Sequence, residues 1–256
     1  MLIRYIKMRW GRGFNYSYLI TDKISKDTWI LDPAEPNDIE PILSPLLKSG
    51  EINLKAIVNT HHHYDHSDGN SHFNQLFPNL PVIAGKDSPL VTIVPKDNEI
   101  LKLGENIEIT AIHTPCHTQD SICYFVKDIQ TNEKAVFTGD TLFTAGSGRF
   151  FEGTPEQMVN SFAKLLKLPI DTKVYSGHEY TKSNVKFAKS VLQNDALNKL
   201  EDFANKNEVT TGVFTIGDEL EFNPFARLND ESIHKSIGVK DPIEVMSKLR
   251  ELKNNF

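Results

Sequence analysis

Four potential metal ligands lie within a few positions of one another, directly after a strand-like apolar segment. Residues 56–60 (AIVNT) are followed by a cluster of donors, namely His61, His63, Asp65 and His66. Side chains two positions apart in an extended segment project to the same side, so His61 and His63 can share one metal ion. The other two donors follow at a turn and can reach a second ion. Imidazole nitrogen and carboxylate oxygen both suit zinc, so the cluster favours a metal site over a solvated polar loop.

Three more donors follow later apolar runs of the chain. They are His117 in TPCHT, Asp140 in FTGDT and His178 in YSGHEY. Each can emerge at the sheet edge where the ligand sites of open α/β folds collect. Taken singly, each has an ordinary alternative, since Gly-Asp-Thr is also a common turn. Together with the first cluster, they supply enough donors for two metal sites.

Short strand-like runs dominate the chain up to His178, and helical patterns dominate the C-terminal remainder. The runs that predict strands are residues 2–8, 16–22, 28–34, 56–60, 81–85, 107–114, 122–128, 135–140 and 174–178. Helices are predicted over residues 69–77, 155–168 and 242–256 and over most of 182–205, with a mixed, loop-rich stretch at 207–240. This order predicts an α/β sandwich followed by a helical C-terminal unit.

The donor pattern and several longer motifs together resemble a known family. THHHYDHSDGN and the later His, Asp and His resemble the metallo-β-lactamase superfamily, and the segments GDTLFTAGSGRFFEGT, SGHEYT and FNPFARL resemble glyoxalase II, the hydroxyacylglutathione hydrolases. The resemblance runs from near Ile6 to the C-terminal helix. It implies an αββα sandwich over residues 1–178 as the catalytic domain, and a mostly helical substrate-binding domain over residues 179–256.

The resemblance also implies how the metal ligands are shared. The first metal would be held by His61, His63 and His117, the second by Asp65, His66 and His178, and Asp140 would bridge them. Family members take zinc and, in some cases, iron or manganese, so we expect two divalent ions, with zinc as the first choice. His62 lies between ligands and should point away from them.

The implied reaction is hydrolysis of S-D-lactoylglutathione to D-lactate and glutathione, the second step of methylglyoxal detoxification. Two adjacent cations lower the pKa of a water between them, and the resulting hydroxide would attack the thioester carbonyl. Asp65 and Asp140 would be catalytic through the ions they hold. The alternative on the same scaffold is a glutathione persulfide dioxygenase with a single iron held by two His and one Asp. The basic C-terminal helix and the GRFFEGT and GHEYT segments favour the thioesterase.

Glutathione carries carboxylates, so a substrate site needs concentrated cationic groups. The resemblance assigns substrate binding to Arg149, Phe151, Tyr180, Arg250 and Lys253. Arg250 and Lys253 are three positions apart on a predicted helix and therefore share a face. Spacing alone favours a solvated helix end for this pair, and the resemblance reverses that preference. Many relatives carry tyrosine where this chain has Phe151, so that position lacks a hydroxyl group.

Net charge and composition limit the classes of molecule that this protein is expected to bind. The net charge of −6 gives no general attraction for nucleic acid or an anionic membrane. Residues 1–10 lack the continuous apolar stretch of a signal peptide, and only two cysteines, Cys116 and Cys123, are present. Both cysteines are predicted in one strand, with Cys116 as a packing residue rather than a nucleophile. We therefore expect a cytoplasmic monomer that binds a small glutathione thioester.

Overall fold

The computed structural model describes all residues, 1–256, and they form two compact units. The first comprises residues 1–113 and 120–139, and the second comprises residues 114–119 and 140–256. Each unit is therefore built from two separate stretches of the chain.

Twelve elements make up the first unit, nine strands and three helices. They are β1 (Leu2–Met8), β2 (Asn15–Thr21), β3 (Asp27–Leu31), α1 (Pro36–Lys48), β4 (Asn53–Val58), α2 (Tyr64–Ser67), α3 (Asn70–Leu76), β5 (Val82–Ile83), β6 (Ile100–Leu103), β7 (Ile107–His113), β8 (Ile122–Asp128) and β9 (Lys134–Gly139).

These strands form two sheets. The first has the order β1-β2-β3-β4-β5, antiparallel from β1 to β3 and parallel from β3 to β5. In the second, β9, β8, β7 and β6 lie side by side and run antiparallel. Every residue of β2 is buried, which shows that this strand is covered on both faces.

The two sheets of the first unit pack against each other through large aromatic side chains. The ring centroids of Tyr18 on β2 and Phe137 on β9 are 5.1 Å apart. Tyr124 on β8 donates its hydroxyl hydrogen to the backbone oxygen of Asn59, at 3.0 Å. A bond of this kind in a dry interior fixes the position of its acceptor. It therefore anchors the chain just after β4, where the histidine cluster begins.

Helix α1 was not predicted from the sequence. Its prolines, Pro41 and Pro45, lie inside the helix and normally argue against one. Ile39 and Leu43 are buried and belong to the apolar cluster beneath the first sheet. Packing of this face outweighs the local cost of the prolines.

The second unit contains three short strands and six α-helices. They are β10 (Leu142–Phe143), β11 (Gly146–Ser147), α4 (Pro155–Leu165), β12 (Lys173–Ser176), α5 (Thr181–Val191), α6 (Asp195–Lys206), α7 (Ile216–Phe222), α8 (Glu231–Ile237) and α9 (Pro242–Asn254). A 3₁₀ turn over Pro224–Ala226 follows α7. None of the helices in the chain combines the length and hydropathy needed to cross a membrane.

Local sequence explains most boundaries in this unit. The predicted helices at 155–168 and 242–256 are confirmed, each with proline at its first position. The stretch 182–205, predicted as mainly helical, forms two helices, and Asn194 caps the second one, α6, by accepting a hydrogen bond from the backbone N–H of Leu197. The prediction of one strand holding both cysteines is wrong. Strand β7 ends at His113, so Cys116 lies in the connection before β8.

The apolar cluster beneath the first sheet gives a stability prediction. Ile57 on β4 is fully buried within that cluster. We expect Ile57→Ala to lower the free energy of unfolding by about 3 kcal/mol, because it leaves a cavity in a packed core. Ile100→Ala, on a strand where this side chain is 58% exposed, is the matched control and should cost less than about 1 kcal/mol. Urea unfolding measures both values, and equal losses would contradict this view of the core.

Candidate metal centre

The four donors of the first cluster lie together in the first unit. After β4 the chain bends at Thr60 and His61 and passes through His63 into the single turn of α2, which presents Asp65 and His66. The Nε2 atom of His61 is 3.1 Å from the Nδ1 atom of His63. Ligand atoms of Asp65 and His66 lie within 4.8 Å of each other, as do those of His61 and His66.

A buried aspartate that the sequence analysis missed orients two of these histidines. Asp32 accepts hydrogen bonds from the backbone N–H and the hydroxyl group of Thr60, both at 2.7 Å. The same carboxylate lies 3.0 Å from Nδ1 of His66. Because a carboxylate oxygen only accepts, the hydrogen of His66 is on Nδ1 and the lone pair is on Nε2.

The hydroxyl group of Thr60 extends this effect to His61. It has given its hydrogen to Asp32, so at 3.1 Å it accepts from Nδ1 of His61. His61 therefore also has its lone pair on Nε2. The only sequence signal for Asp32 is an Asp-Pro pair at the end of the strand-like run 28–34. Its backbone φ of 50° is in the left-handed region, which Asp adopts more readily than most residues.

Asn15, at the start of β2, holds another donor of the cluster. Its side-chain amide donates to the backbone oxygen of Asp65 at 2.9 Å and lies 3.2 Å from the Asp65 carboxylate. Asn15 is completely buried. Nothing in the local sequence marked this residue, because its partner is fifty positions away.

The interleaved His62 has a separate interaction. Its Nδ1 atom is 2.8 Å from the carboxylate of Asp120, whose side chain is fully buried. This contact directs one nitrogen of His62 toward Asp120, and it holds the loop that carries the ligands on either side.

The other three predicted ligands lie together in the second unit. One carboxylate oxygen of Asp140 is 3.4 Å from Nε2 of His117 and 3.3 Å from Nε2 of His178. The Nδ1 atom of His117 donates to the backbone oxygen of Arg149 at 2.9 Å, since a carbonyl oxygen only accepts. Gly148 packs directly against the backbone of Asp140, where no side chain fits, because a Cβ there would lie 1.7 Å from the backbone oxygen of Asp140.

The donor chemistry suits a divalent metal ion. In His61, His66 and His117 the Nδ1 hydrogen is committed to an oxygen acceptor, which leaves the lone pair on Nε2. Metal-binding histidines commonly have this arrangement, because the second hydrogen bond fixes the tautomer and the ring plane. In the second unit the Nε2 of His117 also faces a carboxylate, and a cation between the two would be attracted to both.

The predicted cationic groups also lie in the second unit. Arg250 on α9 is 7% exposed, and it donates from Nη1 to the backbone oxygen of Ser147 at 2.8 Å. Its Nε atom is buried without a hydrogen-bond partner. Burial, together with the positive charge of Arg149, lowers the pKa of Arg250 to about 10. Burial and the charge of Arg250 lower the pKa of Lys253 to about 8. Such a cluster of like charges favours binding of an anion.

Two aromatic residues border the second set of donors. The ring of Tyr180 stacks on that of His178, with centroids 4.6 Å apart and an interplanar angle of 7°. The ring of Phe151 meets His117 edge to face, at 5.2 Å. Phe151 is 60% exposed, so its ring is available for contact with a bound molecule.

Cys116 takes no part in this chemistry. Burial raises the pKa of its thiol to about 12, and the thiol donates to the backbone oxygen of Thr154 at 3.3 Å. A cysteine nucleophile requires a thiolate near neutral pH, which this environment does not provide.

Comparison with known proteins decides the family. Residues 10–178 match the model of the metallo-beta-lactamase superfamily, and residues 179–256 match the hydroxyacylglutathione hydrolase C-terminus. The "probable hydroxyacylglutathione hydrolase glo2" of Schizosaccharomyces pombe is 52% identical, over 95% of this chain and 94% of the relative. The cytoplasmic isozyme of hydroxyacylglutathione hydrolase from Saccharomyces cerevisiae is 48% identical over 100% of both chains. The chain belongs to the hydroxyacylglutathione hydrolase family.

Solved structures confirm the predicted fold class for this member of the hydroxyacylglutathione hydrolase family. ETHE1 from Myxococcus xanthus superposes with a TM-score of 0.69 at 23% identity, covering 96% of this chain and 90% of that one. A metallo-beta-lactamase from Staphylococcus aureus gives a TM-score of 0.66 at 19% identity, covering 99% and 71%. At these identities the likeness establishes the fold alone.

The role of Asp32 gives a prediction about metal affinity. Asp32→Asn keeps the backbone conformation and one acceptor oxygen, but this oxygen cannot replace both carboxylate oxygens, which together accept from the backbone N–H and hydroxyl group of Thr60 and from Nδ1 of His66. We expect divalent-metal affinity to fall about 10- to 100-fold, as for other partners of metal-binding histidines. Competition with a chromophoric chelator measures this. Asp68→Asn, an exposed change beside the same loop, is the control and should bind metal like the unaltered protein. Unchanged affinity in Asp32→Asn would contradict the orienting role.

Proposed function

We propose that this protein hydrolyses hydroxyacylglutathione thioesters, with S-D-lactoylglutathione giving D-lactate and glutathione. The observation that carries the proposal is similarity over the full length of the chain. Relatives bearing the hydroxyacylglutathione hydrolase name cover 95–100% of it at 48–52% identity, and the part that contains Arg250 and Lys253 matches that family's own C-terminal model. The match at residues 179–256 also supports a substrate-binding role for that segment.

We propose that the predicted ligands converge on two divalent cations. The set is His61, His63 and His117 for one ion, Asp65, His66 and His178 for the other, and Asp140 between them. Support comes from the donor types, from the three histidines whose tautomer is set by an oxygen acceptor, and from the spacing within each unit. Zinc is the proposed metal, with iron and manganese as alternatives. When bound, such ions supply hydroxide near neutral pH and stabilise negative charge on the attacked carbonyl oxygen.

The protein's own groups would position the substrate. Arg250 and Lys253 are proposed to bind a carboxylate of glutathione, because the buried Arg250 and the half-buried Lys253 both present positive charge. Arg149 adds charge to the same cluster. Tyr180 and Phe151 would contact the peptide part of glutathione from positions beside His178 and His117. A thiolate is a good leaving group, so the reaction needs no strong general acid.

The decisive assay follows loss of thioester absorbance when the purified protein is given S-D-lactoylglutathione. The same sample is analysed for metal content. Thioester hydrolysis with two ions per chain is the expected result. A folded, metal-replete protein that leaves the thioester intact would overturn the proposal. Oxygen consumption with glutathione persulfide and one iron per chain would instead indicate the dioxygenase alternative.

We further propose a cytoplasmic monomer. The S. cerevisiae relative named as the cytoplasmic isozyme is 48% identical to this chain, whereas the one named mitochondrial is 43% identical. Light scattering in solution and fluorescence microscopy of a tagged protein test the two statements separately.

Asp140 provides a direct test of the proposed bridging position. In Asp140→Asn the negative charge is lost and one of the two oxygens becomes an amide nitrogen, so the side chain can no longer attract two cations equally. We expect metal content to fall to about one ion or less per chain and kcat to fall at least about 100-fold. Elemental analysis and steady-state kinetics measure the two effects. A variant with two ions and full activity would remove Asp140 from the bridging role.

The lowered pKa of Lys253 predicts how KM depends on pH. Lys253 carries its charge below pH 8 and loses it as the pH rises through that value, so carboxylate binding weakens. We expect KM for the glutathione thioester to rise about 5-fold from pH 7 to pH 9, as for loss of one modest ion pair. At pH 7, Lys253→Met should already have the raised KM that the wild type reaches at pH 9, and its KM should not rise further with pH. Lys248→Ala, on the same helix, is the control. Parallel pH profiles in wild type and Lys253→Met would contradict the assignment.

A further inference from the structure

Helix α7 carries a buried carboxyl group that has no part in the chemistry proposed above. Glu219 is completely buried. Its Oε2 atom accepts a hydrogen bond from the backbone N–H of Ala145 at 3.1 Å and another from the side-chain amide of Asn223 at 2.8 Å. Its Oε1 atom is buried without a hydrogen-bond partner. Desolvation of a carboxyl group is costly, so its presence here points to a compensating role.

Ala145 lies in the turn of the β10–β11 hairpin, and side chains hold this turn in addition to the antiparallel pairing of the two strands. The Asn223 amide that binds Glu219 also donates to the backbone oxygens of Gly146 at 3.0 Å and Phe143 at 3.3 Å. Asn184 donates to the backbone oxygen of Thr144 at 3.1 Å. Ala145 is fully buried and has a φ of 54°, in the left-handed region that alanine rarely adopts. Glu219 therefore satisfies the N–H of Ala145 in a strained, buried turn.

The same hairpin connects two parts of the candidate metal centre. It begins two residues after Asp140 and ends two residues before Arg149, whose backbone oxygen orients His117. Arg250 donates to the backbone oxygen of Ser147 on β11. Any shift of this hairpin would therefore move a proposed metal ligand, the acceptor that orients a second ligand, and a contact of the proposed carboxylate-binding group.

We propose that Glu219 is a positioning residue which, together with Asn223, fixes the β10–β11 hairpin. The hairpin in turn fixes the positions of Asp140, His117 and Arg250. This rests on the function proposed above, because it assigns a role relative to that metal and substrate site. The group acts through the hairpin and does not itself touch metal or substrate.

The protonation state of Glu219 agrees with this role. Burial raises the pKa of the Glu219 carboxyl group to about 8, and the charge of Asp218 adds to the shift, so the neutral acid predominates at neutral pH. A neutral acid keeps one oxygen as an acceptor for Ala145 without placing an unpaired charge in the interior. Glutamine has the same shape and also keeps that acceptor. Leucine is of similar size and provides none.

Three variants test the role of this acceptor. In Glu219→Leu we expect divalent-metal affinity to fall about 10-fold and KM for the glutathione thioester to rise several-fold, as when partners of metal ligands are lost. Amide hydrogen exchange at residues 143–147 should become faster, because the N–H of Ala145 loses its acceptor. Glu219→Gln should retain metal affinity, KM and slow exchange. Glu221→Gln removes a carboxyl group from the exposed face of the same helix and should match wild type in all three measurements.

Chelator competition, steady-state kinetics and exchange followed by mass spectrometry are run on all variants, with circular dichroism as the check of folding. A folded Glu219→Leu with wild-type metal affinity, KM and exchange would overturn the inference. If Glu219→Leu does not fold, Asn223→Ala takes its place, since it also releases the hairpin, and it is expected to show the same three changes. If the wild-type protein binds metal and hydrolyses the thioester, and the variants behave in the same way, only the positioning role is refuted. Wild-type protein that does neither refutes the proposed function itself.

Discussion

A single buried carboxylate, that of Asp32, determines which nitrogen two histidines of the first unit can offer to a metal. It binds Nδ1 of His66 directly and reaches Nδ1 of His61 through the hydroxyl group of Thr60. In the second unit, the backbone carbonyl of Arg149 plays the corresponding role, because it accepts from Nδ1 of His117 and leaves Nε2 for a metal. In each case the ring is oriented by an oxygen acceptor that the fold has already placed. The donors are therefore preorganised, and little rearrangement is required when an ion binds.

The candidate ligands could be predicted from sequence because their chemistry is local and restrictive. Few residue types bind divalent metals well, and a cluster as dense as that from His61 to His66 is uncommon away from metal sites. The residues that hold them could not be predicted in the same way. Asp32 and Asn15 act on partners thirty-four and fifty positions away, so no short motif contains both members of either pair. Glu219 is similar, because it reaches Ala145 from a segment whose pattern indicated mainly loops.

For the fold, apolar and β-branched runs identified most strands, since burial of β2 to β4 and of β7 to β9 requires such residues. The sequence-based predictions failed where tertiary packing opposed the local secondary-structure preference. Helix α1 forms despite Pro41 and Pro45, because Ile39 and Leu43 are buried in the cluster under the first sheet. The division between α5 and α6 depends on a single cap at Asn194. A pattern of apolar spacing cannot reveal such a break, although the side chain that causes it is visible in the sequence.

The burial of both cysteines affects how this protein would respond to oxidation. The proposed reaction releases a thiol, and in a cell that thiol is accompanied by its disulfide. Exchange with a disulfide requires an accessible thiolate, and a pKa of about 12 leaves almost none at Cys116 near neutral pH. Mixed disulfide formation with oxidised glutathione is therefore suppressed at this position. The catalytic scaffold can stay chemically unaltered while the redox balance of the surrounding glutathione pool changes.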